Sequence, residues 1–448
     1  MDRTNISTIG TRLSGHHFFG FHDLVAFNKK GDKILGLEAS VINRPPLPGE
    51  KVRVGYAATI SGEYISMGET NAFNYPQGAR QQWLDNDKFI VNNQVGKSWG
   101  SDVYDCNNGK KIESFESTAH CISKDGKKAF GLDYERIHRL GGYGYIGIHD
   151  PGINEATPAN QGIWVLELAT KQKKLLISIR EVAECDKHTS SFSDFHHYLT
   201  HLVLNPLNNR IAFLHRFFLA DGGIRTRLMT IGTDGTDLRC LAVGFLSHFD
   251  WKDDNTLFIW GRAGGGVDQL RSNPIFSNSL VSPLLKLAKS AARLVLKRVS
   301  TQLSMSFLLI NDVVGSTISP VAQGILTEDG HPMFNPSNRD YIITDNYPDA
   351  QKERTLMLYN FRSNLRTDLG KYRMLDAQPD IKLYSEFSKG VDKKILGLIS
   401  PEQYSFTRSG LHCDLHPRWN ADGTIVAFDS IHEGSRQLYW MDVKNLVQ

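Results

Sequence analysis

The sequence contains no run of about 18 apolar residues, so no segment of it reads as a membrane-spanning helix. Its first residues, Met1-Asp-Arg-Thr-Asn-Ile-Ser, lack the basic patch and apolar core of a secretory leader. Cysteine is scarce: Cys106, Cys121, Cys185, Cys240 and Cys413 are scattered, odd in number and never spaced C-x-x-C. That pattern argues against a disulfide framework, and with the missing leader it leads to the expectation of reduced thiols in a cytoplasm. An excess of either charge is also missing, with 51 basic against 48 acidic residues and a net charge of +3. Nucleic acid is therefore not expected as a partner, and any electrostatic recognition has to be local. What is present is 448 residues with 40% hydrophobic content, enough for a large globular core.

One unit recurs along the chain. In its fullest form it reads histidine, two residues, an aromatic residue, Asn, a short turn and a strand. Four copies carry the histidine: His201-Leu-Val-Leu-Asn-Pro-Leu-Asn208, His248-Phe-Asp-Trp-Lys-Asp-Asp-Asn255, His331-Pro-Met-Phe-Asn-Pro-Ser-Asn338 and His416-Pro-Arg-Trp-Asn-Ala-Asp-Gly423. Three more keep only the turn: Phe27-Asn28-Lys29-Lys30-Gly31, Trp83-Leu84-Asp85-Asn86-Asp87 and Ile122-Ser123-Lys124-Asp125-Gly126. Each predicts a β-hairpin, because Asn, Asp and Gly tolerate the positive φ that tight turns demand. Several copies are followed by a second strand pair, as at 162–168 with 173–179 and 355–359 with 366–369. Two hairpins make a four-stranded blade. The predicted fold is all-β: a seven-bladed β-propeller forming a single domain over residues 1–448. Uneven spacing between copies requires long loop insertions.

Two insertions stand out. Residues 138–159, rich in Gly, Pro and Tyr, read as a loop over one face. Residues 282–303 instead read as an inserted basic amphipathic helix, with five basic and no acidic residues between Val281 and Ser300. Such a helix either packs on the propeller or makes peripheral contact with an anionic membrane surface.

In a propeller the first strand of each blade lines the axis, so equivalent repeat positions converge there. His201, His248, His331 and His416 would then ring one mouth of the channel, with His412 and Asp414 beside them. Imidazoles with a carboxylate suit a divalent ion such as Mn²⁺ or Zn²⁺, and the candidate metal residues are His331, His412, Asp414 and His416. Each histidine equally admits a structural role in its own turn. Near them stand Arg216 and Arg262. Proton abstraction beside a carboxylate needs a cation to neutralise the uronate and a neutral imidazole to take the proton. The catalytic candidates are His248, Arg216, His201 and Tyr198, the phenol serving to protonate a leaving oxygen. The substrate-binding candidates are His22, His197, His215, Arg262 and Arg418, with the aromatic cluster around Phe18, Phe19 and Phe21 as a sugar platform.

Two motif matches fail on context. Gly96-Lys97-Ser98-Trp99-Gly100 fits a nucleophile elbow, but strand and turn follow it where a helix is needed. Gly142-Tyr-Gly144-Tyr-Ile-Gly147 fits a dinucleotide fingerprint, yet His149-Asp-Pro-Gly152 cannot open the required helix. No sequence feature marks the paired carboxylates of a glycoside hydrolase.

At His248-Phe-Asp-Trp, Asp329-Gly-His331 and His412-Cys-Asp-Leu-His416-Pro-Arg-Trp-Asn-Ala-Asp-Gly423 the chain resembles the oligogalacturonate lyase family, and more broadly the Tol-type propellers. The broad resemblance implies a seven-bladed propeller. The narrow one implies cytoplasmic β-elimination on short uronate chains with a Mn²⁺ ion in the last blades. It would make His331 and His416 ligands, His248 the base and Arg216 the charge neutraliser. Two positions depart from the family pattern. The family's His-x-His-Pro is Asp414-Leu-His416-Pro here, and its glutamine is Leu411, so Asp414 or His412 would have to rebuild the ligand set.

The function expected from the sequence is that of a polysaccharide lyase acting on an acidic glycan or oligosaccharide. Its alternative is a non-catalytic propeller that binds glycan or protein in bacterial polysaccharide assembly or export.

Overall fold

The repeated Asn explains both the hairpins and how they are joined. In the computed structural model, which describes residues 8–11, 15–185, 195–219, 223–263 and 305–447, Asn205 Oδ1 accepts the backbone N–H groups of Asn209 and Arg210 at 3.0 and 3.1 Å. Asn420 does the same for Thr424 and Ile425, and Asn28 for Asp32 and Lys33. A side chain that closes its own turn is why Asn occupies this position. Its amide then reaches forward: Asn28 donates to Asn86 O, Asn205 to Asp254 O and Asn335 to Gly423 O, at 3.0, 3.0 and 2.7 Å. Each acceptor lies in the turn of the following repeat.

The aromatic residue one position earlier reaches backward. Trp83 Nε1 donates to Ala26 O, Trp251 to Val203 O and Trp419 to Met333 O, at 2.8, 3.0 and 3.0 Å. The Asn of one repeat and the Trp of the next therefore staple the same junction twice, at three junctions of the ring, each hydrogen bond contributing about 1 kcal/mol.

The strands assemble as six antiparallel sheets. Four-stranded sheets run from His16–Phe18 to Tyr64–Thr70, Gln82–Trp83 to Lys110–Phe115, Cys121–Ile122 to Gln172–Ser178 and Met333–Phe334 to Leu365–Arg373. A seven-stranded sheet spans His197–Leu204 to Ile318–Val321. Its middle strand, Arg239–Trp251, pairs by its first half with Ile224–Gly232 and by its second half with Thr256–Ala263. It is thus the outer strand of one unit and the inner strand of the next, and the described residues carry seven four-stranded units. First strands of successive units touch one another, as Arg239–Trp251 touches Met333–Phe334, which in turn touches Arg418–Trp419. They line the axis.

The last sheet closes the ring, since Thr8–Gly10 pairs with Gln437–Asp442 beside Arg418–Trp419 and Ile425–Ser430. Asp429 reinforces the seam by accepting from Phe19 N while it pairs with Arg418 and Arg436.

The expected loop at 138–159 is preceded and partly replaced by a helix, Tyr134–Gly141. A second insertion, after Leu365–Arg373, carries the short helices Tyr384–Phe387, Lys393–Leu396 and Pro401–Arg408, which the sequence reading did not identify. Arg408 donates to Gly141 O and Gly142 O, and Asp392 N to Arg139 O, so the two insertions form one cap. The expected basic helix at 282–303 lies outside the described residues. Cys106, Cys121, Cys240 and Cys413 form no disulfide, and no helix among the described residues is long and apolar enough to cross a membrane.

Candidate active site at the propeller axis

The four repeat histidines do converge. His331 and His416 stand two residues before their short inner strands, whereas His201 and His248 sit where their strands lose register, between Thr200 and Val203 and between Leu246 and Phe249. Such irregularities re-aim a side chain out of the pleat. His201 and His416 adopt left-handed backbone, φ 60° and 43°, a conformation that costs roughly 1–3 kcal/mol for a non-glycine residue. The rings of His248 and His331 are 4.3 Å apart and those of His331 and His416 are 4.2 Å apart. Phe21, from the loop after His16–Phe18, fills the centre at 5.0 Å from both His201 and His416.

His331 Nδ1 lies 2.7 Å from Asp345 Oδ1, which directs Nε2 toward the axis. Asp414 is ion-paired with Arg354 at 2.8 Å, and its second oxygen lies 3.8 Å from His416 Nε2. One ligand atom from each of His331, Asp414 and His416 falls within 4.8 Å of the others, and all three residues are buried. Ligands on a divalent ion at ~2.1 Å sit about 3–4 Å apart, so a small contraction would complete the set. His416 Nδ1 is buried without a hydrogen-bond partner. The donors fit an ion such as Mn²⁺ or Zn²⁺. His412 is not one of this trio: it stands behind Asp414, with Nδ1 3.4 Å from Oδ2 and Nε2 3.4 Å from Arg354.

Burial alone would raise the Asp414 carboxyl, but Arg354 and the surrounding imidazoles outweigh it and hold it well below the usual range. Burial, reinforced by neighbouring charge, keeps His22, His201 and His416 well below the ordinary imidazole value, hence neutral. For His331 burial acts in the same direction, yet Asp345 prevails and raises it. Burial lowers His412 to about 4.

The mouth of the cluster is formed by His248, Asp329, His412 and Tyr347, the last 36% exposed. His248 Nδ1 lies 3.1 Å from Asp329 Oδ1, leaving Nε2 free of that contact. Arg216 donates to Tyr143 Oη at 3.2 Å and toward Leu246 O at 3.4 Å, and its charge is felt at His201. Tyr198, its register partner, lies 3.4 Å from Tyr143 through the two hydroxyls. Burial, then Tyr143, pushes Tyr198 well above the ordinary phenol value.

The remaining sequence candidates lie elsewhere. His197 and His215 are fully buried and paired at 2.7 Å between their own strands, with His215 also 3.1 Å from Arg227. Alternation along the strand sends His215 and Arg216 to opposite faces. Arg418 is buried against Asp429 and over the Phe19 ring. Arg262 is half-buried opposite Phe245. Leu411 belongs to the apolar core. Conversely, Asp329, Asp345, Arg354 and Tyr347 were missed, as was Arg80, which occupies the equivalent pre-strand position of the second sheet and binds Asp23 through both oxygens at 2.7 and 2.9 Å.

No known family pattern matches the sequence, and no curated protein is detectably similar to it. The fold is similar to that of oligogalacturonate lyase from Vibrio parahaemolyticus, with a TM-score of 0.55 and 12% identity over 99% of this chain and 96% of that one. An oligogalacturonate lyase in complex with manganese aligns with a TM-score of 0.51 and 13% identity, over 96% of this chain and 91% of that one. At such identities the likeness shows the fold alone, a β-propeller of the oligogalacturonate lyase type.

Proposed function

We propose that the protein is a lyase that cleaves a uronate-containing oligo- or polysaccharide by β-elimination. One observation carries this reading: Arg216, which forms no ion pair with a carboxylate among the described residues, shares the axial cluster with neutral imidazoles and a metal-capable trio. A cation without its own carboxylate, beside a base, is the pairing that uronate elimination requires.

His248, oriented through Nδ1 by Asp329, takes the proton from the carbon next to the uronate carboxylate. That C–H electron pair becomes the carbon-carbon double bond, and the glycosidic oxygen departs with its own bonding pair. Tyr198, held protonated by burial, supplies the proton to that oxygen with Tyr143 beside it. Arg216 neutralises the carboxylate as charge builds on it. A divalent ion held by His331, Asp414 and His416 would add positive charge at the same carboxylate.

Incubation with a panel of uronate oligosaccharides, followed by mass spectrometry, tests the reaction class. Elimination yields fragments whose masses sum to the substrate, one bearing a double bond. Fragments that have gained water would point to hydrolysis, and binding without cleavage would favour a non-catalytic glycan-binding propeller.

A further inference from the structure

His22 is the most buried group near the trio without an assigned task. It is 1% exposed, and neither ring nitrogen completes a hydrogen bond within the described residues, although the Pro332 carbonyl faces the ring. Apart from that one loosely formed contact, the buried imidazole forfeits hydrogen bonds that water would have supplied. Its surroundings add to the cost, because the rings of His331, His248 and His416 lie 5.5, 6.1 and 6.1 Å away. Packing four imidazoles around one point brings several nitrogen atoms together in a space without water, which is unfavourable unless a cation collects their lone pairs.

The distances allow that arrangement. An imidazole bound through nitrogen at ~2.1 Å puts its ring centre ~3.2 Å from the ion, so two such rings on one ion have centres roughly 4.5–6.5 Å apart. His22 meets that interval with both His331 and His416, whereas those two rings, 4.2 Å apart, would have to part slightly on a shared ion; His22 itself stands outside the set whose ligand atoms fall within 4.8 Å of one another and would have to turn toward it. The Pro332 carbonyl offers a place for one ring N–H, which leaves the other nitrogen as a lone-pair donor, the tautomer a metal-bound histidine adopts.

Resting on the reading of His331, Asp414 and His416 as a metal site, we propose that His22 is a fourth ligand, so that the ion is held jointly by the first, sixth and seventh blades. The three-residue set then becomes three imidazoles and one carboxylate, contributed from both sides of the seam where the ring closes. Metal binding and ring closure are thereby linked, since His22 is anchored by Phe19 and Asp23 on either side, to Asp429 and Arg80.

The test is titration of the purified protein with MnCl₂ by calorimetry, together with pulsed EPR of the bound Mn²⁺ to count coordinated imidazole nitrogens. The wild type is expected to show three, and His22→Gln, which keeps volume and a weaker donor, two. His22→Ala is expected to weaken binding by about 10–100-fold, the scale for loss of a residue in a metal's coordination environment. If His331→Ala abolishes binding while His22→Ala changes neither affinity nor the wild-type count of two, His22 is not a ligand and the trio stands without it. If the wild type binds no Mn²⁺, or His331→Ala leaves binding intact, the trio is not a metal site and the assignment of His22 falls with it. Should His22→Ala fail to fold, the nitrogen count in the wild type and in His22→Gln decides.

Discussion

Asp345 holds two histidines from adjacent blades at once: one oxygen receives His331 Nδ1 at 2.7 Å, and the other accepts the backbone N–H groups of Leu415 and His416 at 3.0 and 3.2 Å. The relative position of the two imidazoles is therefore fixed by a single buried carboxylate. Asp345→Asn, which keeps most of the shape, is expected to lower Mn²⁺ affinity about 10-fold or more. Asp345→Ala leaves several buried donors without a partner and should cost about 3 kcal/mol or more of stability. Calorimetric titration and urea denaturation separate the two effects.

The inter-blade staple gives a sharper stability test. Gly423 has φ +68°, and a Cβ there would sit 2.1 Å from Asn335 Oδ1, the side chain whose amide bonds Gly423 O. Gly423→Ala is expected to destabilise by about 3 kcal/mol, of which roughly 1 kcal/mol is backbone strain and the remainder collision with Asn335. In an Asn335→Ala background the same substitution should cost only the backbone part. Equal penalties in both backgrounds, measured by urea denaturation as a double-mutant cycle, would show that the contact is not responsible.

A pH dependence follows from the cap. Burial, then the charge of Asp133, raises Glu135 to about 8, with Asp150 acting in the same direction and Lys173 opposing. The unfolded chain ionises Glu135 near 4.5 while the folded chain keeps it protonated, so stability falls as pH rises toward 8 and levels off above it. Between pH 6.5 and 8 the loss is expected at about 1.4 kcal/mol per pH unit, on the order of 2 kcal/mol in total. Glu135→Gln should flatten the urea midpoint across that window. A wild-type midpoint that stays level there would mean Glu135 is already ionised.

Much of this architecture was legible in the chain because the same physical device recurs. Asn205, Asn335 and Asn420 each close a turn with their own side chain, so residue type reveals geometry. The convergence of His248, His331 and His416 followed from their equal places in the repeat. Asp345 and Arg354 carry no such mark: Asp345 follows the second strand of its sheet and Arg354 lies on the third, and their partners, His331 and Asp414, are 14 and 60 residues away. His197 and His215 show the reverse case, since proximity in sequence to Tyr198 and Arg216 hid that alternation turns them to the other face. The cap helices were missed because Tyr384–Phe387 and Lys393–Leu396 are single turns, too short for a periodic signal.

Proton abstraction by His248 is the central claim, and steady-state kinetics of His248→Ala, Asp329→Asn and Arg216→Lys tests it most directly, on whichever saccharide of the uronate panel the wild type cleaves. His248→Ala is expected to lower kcat by about 100-fold or more, the scale of a lost general base. Asp329→Asn should lower kcat less while keeping KM, and Arg216→Lys should chiefly lower kcat/KM. Near-normal kcat in correctly folded, metal-replete His248→Ala would contradict it, and the base would have to be sought elsewhere on the axis.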